Sequence, residues 1–132
     1  MAPVHSDVAF WNGLPDVGLL PRTDVVQHRA RVAAAVDIPV YCDADTGFGP
    51  GPALVQRTVQ EFIGAGVAGI HIEDQAEPKK AGGQSGIALV SDAEAIGRLA
   101  ETPGPAYVIE SADQRSRPSL AELSAMGRKR SR

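Results

Sequence analysis

Cysteine is nearly absent from this chain. Cys42 is the only one in 132 residues, so no intrachain disulfide can form, which fits a reducing cytosol and a cytoplasmic location. Charge of one sign is also lacking. The formal net charge is −3, which gives no general reason to expect a nucleic-acid partner. Aromatic residues make up 5% of the chain. None accompanies the basic tail Gly127-Arg128-Lys129-Arg130-Ser131-Arg132, so the tail reads as solvated and not as a nucleic-acid surface. No apolar run approaches membrane-span length. The start, Met1-Ala2-Pro3-Val4-His5-Ser6-Asp7, has neither the basic opening nor the apolar core of a signal peptide.

What is present suggests one globular domain. Hydrophobic residues are 43% and charged residues 22%, enough for a modest core. Residues 1–22 show no clear period and carry the turn signals Asn12-Gly13 and Pro15-Asp16, so they read as loop. Thr23 suits a helix cap, with Val25, Val26, Val32, Ala33 and Val36 as an apolar stripe behind it. Ile38-Pro39-Val40-Tyr41-Cys42 reads as a central parallel strand. Pro52 opens a second helix with Leu54, Val55, Val59, Phe62 and Ile63 on its apolar face, ended by Gly64-Ala65-Gly66. Val67 to Ile72 reads as the next strand. Ser91 caps a third helix, with Glu94 at the capping-box position, and Ala106 to Ile109 reads as a third strand. Ser119 to Met126 reads as a last short helix. Alternation of this kind means parallel strands joined by right-handed crossovers. Three strands cannot close a barrel, so they form an open sheet or a piece of a larger α/β fold.

The chemistry is expected at Asp43-Ala44-Asp45-Thr46-Gly47-Phe48-Gly49. Ligands of parallel α/β proteins sit at the carboxyl ends of the strands. Two strands end in acids here, Asp43 with Asp45 and Glu73 with Asp74. Buried carboxylates need compensation, and Mg²⁺ held partly through water supplies it. The alternative is that these acids cap the following helices or face solvent. Gly47 would let backbone approach a ligand closely. His71 shares a strand face with Glu73, so a polar contact in the site competes with a hydrogen-bonded core role. Lys79-Lys80-Ala81-Gly82-Gly83 reads either as a cationic flap over an anionic substrate or as a solvated loop. Cys42 reads as a buried, inert thiol.

These residues resemble a known family. Asp43 to Gly49, then Arg57-Thr58-Val59, then Ala65-Gly66-Val67-Ala68-Gly69-Ile70-His71-Ile72-Glu73-Asp74-Gln75 look like the isocitrate lyase/phosphoenolpyruvate mutase superfamily. Gly13 to Leu19 is similar to its upstream loop. Pro78-Lys79-Lys80 and Leu89-Val90-Ser91 are similar to its gating-loop region and the helix start behind it. The resemblance implies a (β/α)₈ barrel, of which about three parallel strands are present here, open rather than closed, over residues 1–115. The short helix and tail occupy 116–132. It also implies Mg²⁺ with a small 2-oxo acid or other carboxylate. Asp43 would contact the metal, and Asp45, Asp16 and Glu73 would hold its waters. His71 and Gly47 would lie against the substrate, and Lys79 would act from the closing loop. The reaction implied is cleavage of C–C bonds in 2-methylisocitrate- or isocitrate-type acids through an enolate, with mutase or oxaloacetate decarboxylase chemistry as alternatives.

Departures from the pattern predict impaired chemistry. The lyases of the family carry Lys-Arg-Cys-Gly-His in the loop, where this chain has Lys79-Lys80-Ala81-Gly82-Gly83. Ala81 cannot transfer a proton. Glu110-Ser111-Ala112-Asp113 stands in place of an Ala-Arg-Thr-Asp sequence and has no arginine. The two strands expected before Gly13 are not found. The segment from Pro118 to Gly127 resembles one from nearer the family's C-terminal end, as a truncated chain with an internal deletion would. A complete barrel needs ~250 residues. A non-catalytic fragment is therefore the competing expectation, or one that associates with further copies through exposed sheet edges.

Overall fold

The computed structural model describes residues 4–81, 84–100 and, as backbone, 108–110. The expected helix at 119–126 and the basic tail lie outside the described residues. Seven elements alternate along the chain: α1 (Val4–Trp11), α2 (Arg22–Ala34), β1 (Tyr41–Asp43), α3 (Pro52–Gly64), β2 (Gly69–Glu73), α4 (Asp92–Ala100) and β3 (Val108–Glu110). The strands form one parallel sheet in the order β1-β2-β3.

Three local expectations are corrected. Residues 4–11 are helical rather than loop. Val8 and Ala9, each 1% exposed, hold that helix to the core, so packing overrides a weak sequence period. The Asn12-Gly13 signal ends this helix: Asn12 donates from its backbone and side chain to the Val8 carbonyl, and Gly13 takes a φ of 68°. Thr23 is not the cap of α2, because the helix begins at Arg22 behind Pro21. The first strand is shorter and later than expected, and it lies at an edge of the described sheet rather than in its centre. Ile38 is 71% exposed, and Pro39 has no N–H to pair.

The second unit follows its pattern closely. Pro52 opens α3, and Val55, Thr58, Val59 and Phe62 are its buried residues. Ile63, expected on that face, is instead exposed. Arg22 and Arg57 both donate through Nε to the Glu61 carboxylate at 2.9 Å, which ties α2 to α3. Burial disfavours the Glu61 charge, but the two guanidiniums outweigh it and hold its pKa below the ordinary range. At the third helix, the Glu94 N–H donates to Ser91 Oγ, as the capping signal predicts. The Glu94 carboxylate accepts from Arg98 one turn on. Arg98 is buried and also donates to the Glu73 and Gln75 carbonyls. It thereby fastens α4 to the carboxyl end of β2.

Candidate metal and substrate site

The ladder between β1 and β2 places the acids side by side. Asp43 is in register with His71. Pairing continues past the strand end, where the Glu73 N–H donates to the Asp45 carbonyl at 2.8 Å. Asp45 takes a φ of 54°, a left-handed conformation that aspartate tolerates better than most residues. The turn is fixed from inside, because the Asp45 N–H donates to Asp43 Oδ1 at 2.7 Å and the Thr46 N–H to Asp45 Oδ1 at 3.0 Å.

Lys79 is the centre of the cluster. Its Nζ lies 2.8 Å from Asp45 Oδ1, 3.1 Å from Asp16 Oδ1 and 3.8 Å from Glu73 Oε2. The residue is 3% exposed. Of the two expected readings of this loop, the solvated one is corrected at Lys79: its ammonium is buried among three carboxylates from three segments. Burial alone would disfavour its charge, but Asp45, Glu73 and Asp16 outweigh burial and hold its pKa above the ordinary lysine value.

The other expected residues fall around this cluster. Asp43 does not ion-pair with Lys79; its Oδ1 lies 3.2 Å from His71 Nε2. His71 also stacks on the Tyr41 ring, with centroids 5.6 Å apart. Gly47 has a structural duty that the sequence did not reveal. Its φ is 94°, and a Cβ there would meet Val55 Cγ2 at 2.7 Å. Its carbonyl accepts from the buried Thr58 hydroxyl at 2.8 Å, so the turn is pressed onto α3. Gly47→Ala is expected to lower stability by about 1–3 kcal/mol through overpacking alone, read as a fall in urea midpoint; an unchanged midpoint would contradict the close packing. Cys42 is 1% exposed. Burial raises its thiol pKa, Arg29 opposes this and Asp43 adds to it, as expected of an inert thiol.

Three further residues belong to the site. Gln75 is 2% exposed; its Nε2 donates to Glu73 Oε2, and its Oε1 accepts from the Lys80 N–H. Glu77 accepts from the Thr46 hydroxyl through one oxygen and from the Lys79 N–H through the other. Thr46, Gln75 and Glu77 therefore bind the Lys79 segment to both strand ends. A polar residue two places beyond the acidic strand end was the available sequence signal for Gln75.

The donor atoms are of the hard-oxygen type that Mg²⁺ takes. Asp16, Asp45 and Glu73 offer hard carboxylate oxygens, and Asp43 adjoins them through the Asp45 N–H, the chemistry of a cation kept partly hydrated. The Lys79 ammonium is a stand-in cation that these oxygens already surround. Among the described residues, no group of three or more His, Cys, Asp or Glu is placed to hold a metal ion.

A family model described as phosphoenolpyruvate phosphomutase matches residues 5–102. The chain is 47% identical over 87 residues to 2,3-dimethylmalate lyase from Eubacterium barkeri, which covers 66% of this chain and 30% of that protein. It is 43% identical over 99 residues to a probable 2-methylisocitrate lyase from Corynebacterium glutamicum, covering 75% of this chain and 31% of that one. Among solved structures, a phosphoenolpyruvate phosphomutase from Streptomyces platensis subsp. rosaceus superposes with a TM-score of 0.74 at 28% identity, covering 89% of this chain and 43% of that one. The chain belongs to the phosphoenolpyruvate phosphomutase family, within the isocitrate lyase/phosphoenolpyruvate mutase superfamily. Its open three-stranded sheet is part of that superfamily's (β/α)₈ barrel. It spans less than a third of the length of the two lyases it matches.

Proposed function

We propose that this chain carries the cation-binding part of a Mg²⁺-dependent carbon–carbon lyase site for a small carboxylate of the methylisocitrate type. The supporting observation is the convergence of Asp16, Asp45 and Glu73 on one positive charge at the carboxyl ends of parallel strands. The names of the relatives support the substrate class: dimethylmalate and methylisocitrate are both carboxylic acids. When bound, the cation would supply Lewis-acid stabilisation of negative charge developing on the substrate oxygens. Asp43, Asp45, Asp16 and Glu73 would hold it, with Asp43 oriented by the Asp45 N–H and by His71. Lys79 contributes a positive charge beside the substrate carboxylates.

A second reading, a non-catalytic relative, is favoured by Ala81. It stands where the lyases of the family carry a cysteine, and its methyl group can neither give nor take a proton. An assay with methylisocitrate, isocitrate, oxaloacetate and phosphonopyruvate separates the two. The lyase reading expects Mg²⁺-dependent turnover that Asp43→Ala abolishes. Absence of turnover with all four acids would leave the non-catalytic reading standing.

A further inference from the structure

We infer that Arg98 is a positioning residue of the site: through the backbone carbonyls of Glu73 and Gln75 it sets where their side chains stand relative to Lys79. The inference rests on the reading of the strand-end acids as the site and adds a support behind them. Arg98 lies inside α4 with only 7% of its side chain exposed. A buried guanidinium costs stability unless its donors are met. Nη2 donates to Glu94 Oε1 at 2.9 Å, and Nη1 reaches the Glu73 carbonyl at 3.3 Å and the Gln75 carbonyl at 3.5 Å. Nε is buried with no hydrogen-bond acceptor among the described residues. An orphaned donor is costly, so stability alone is a poor account of a charge at this place. What the guanidinium supplies is location. It spans two carbonyls at the point where the described β2–β3 register ends, at Glu73 opposite Glu110.

Both carbonyls belong to residues whose side chains build the cluster. Glu73 is gripped at three points. Its N–H donates to the Asp45 carbonyl, its own carbonyl accepts from Arg98, and its Oε2 accepts from Gln75 Nε2. That same Oε2 lies 3.8 Å from Lys79 Nζ. Gln75 is held in a similar way: its carbonyl accepts from Arg98, and its Oε1 accepts from the Lys80 N–H. A shift of backbone at 73–75 would therefore move one of the three carboxylates around the ammonium. Lysine at position 98 would keep the charge and much of the stem. It has one nitrogen in place of a planar fork, so it cannot reach both carbonyls and Glu94 in the same manner.

A double-mutant cycle tests this, read as urea midpoints of the full chain. The shift caused by Lys79→Met is measured in the wild type and in Arg98→Lys. Positioning expects the shift to fall by roughly half in Arg98→Lys, because an ammonium among misplaced carboxylates has less to lose. A purely structural link between helix and strand expects the two shifts to add. Glu94→Gln is the second variant. Its carboxylate is half exposed, so the fold tolerates the change, yet Arg98 loses its one charged acceptor. It should couple to Lys79→Met in the same direction. Arg57→Gln removes a comparable pair one turn apart on α3 and should not couple. Additive shifts for both Arg98→Lys and Glu94→Gln would overturn the inference. The cycle reads stability, so it is independent of the assay with the four acids. Coupling in a chain without turnover supports the positioning role and counts against the lyase reading alone.

Discussion

Lys79→Met is expected to destabilise the metal-free chain by about 3–5 kcal/mol, the cost of removing one partner from a buried ion pair. The ammonium sits among three carboxylates with only 2% of its side chain exposed. Methionine fills much the same space, so lost packing is a small part of the effect. The dominant cost is that Asp16, Asp45 and Glu73 are left facing one another without a positive charge. The pH dependence identifies this cause. Because the Lys79 pKa is raised in the folded chain, its contribution is complete below the ordinary lysine value of ~10.4 and is lost as pH rises through the folded value. The difference in urea midpoint between wild type and variant should be constant near neutrality and shrink in strong alkali. Equal midpoints at neutral pH would show that the ammonium is not bound among the acids.

Phe62→Ala is expected to cost a similar amount, about 3–5 kcal/mol, for a different reason. Phe62 is 1% exposed and belongs to the core cluster with Val55, Val59, Ile70 and Ile72. Truncation removes a ring's worth of buried apolar surface and leaves a cavity that helix and sheet cannot fully close. This loss carries no charge, so it should be the same at neutral and alkaline pH and unaffected by Mg²⁺. Thermal and urea unfolding of both variants, with and without Mg²⁺, should separate the two mechanisms. A Phe62→Ala chain with wild-type stability would mean that α3 does not pack on the sheet through this ring.

The legible parts of the fold were those where one local rule decides. Pro52 at the start of α3, its apolar face through Phe62, and Ser91 as the cap of α4 stand where the sequence places them. The acids at the ends of β1 and β2 were legible for the same reason: parallel strands joined by helices put their carboxyl ends on one side. The elements misread were those settled by packing. The first helix lacks a strong period and is held by Val8 and Ala9 against residues far along the chain. The Ile38 segment is apolar enough for a buried strand, yet pairing begins only at Tyr41.

The sequence by itself determined the alternating α/β order, the acidic strand ends and the family. It determined these because periodicity, capping and short motifs are local and survive in one dimension. Only the tertiary structure decided where the positive charge lies. Asp16 is 63 residues from Lys79 in the chain, and no local rule joins a residue of an early loop to one beyond β2. Folding brings them to 3.1 Å, and the β1–β2 ladder, the Thr46–Glu77 hydrogen bond and Gln75 fix the Lys79 side of that contact against the strand ends. A loop lysine thus becomes the buried counter-ion of the acids.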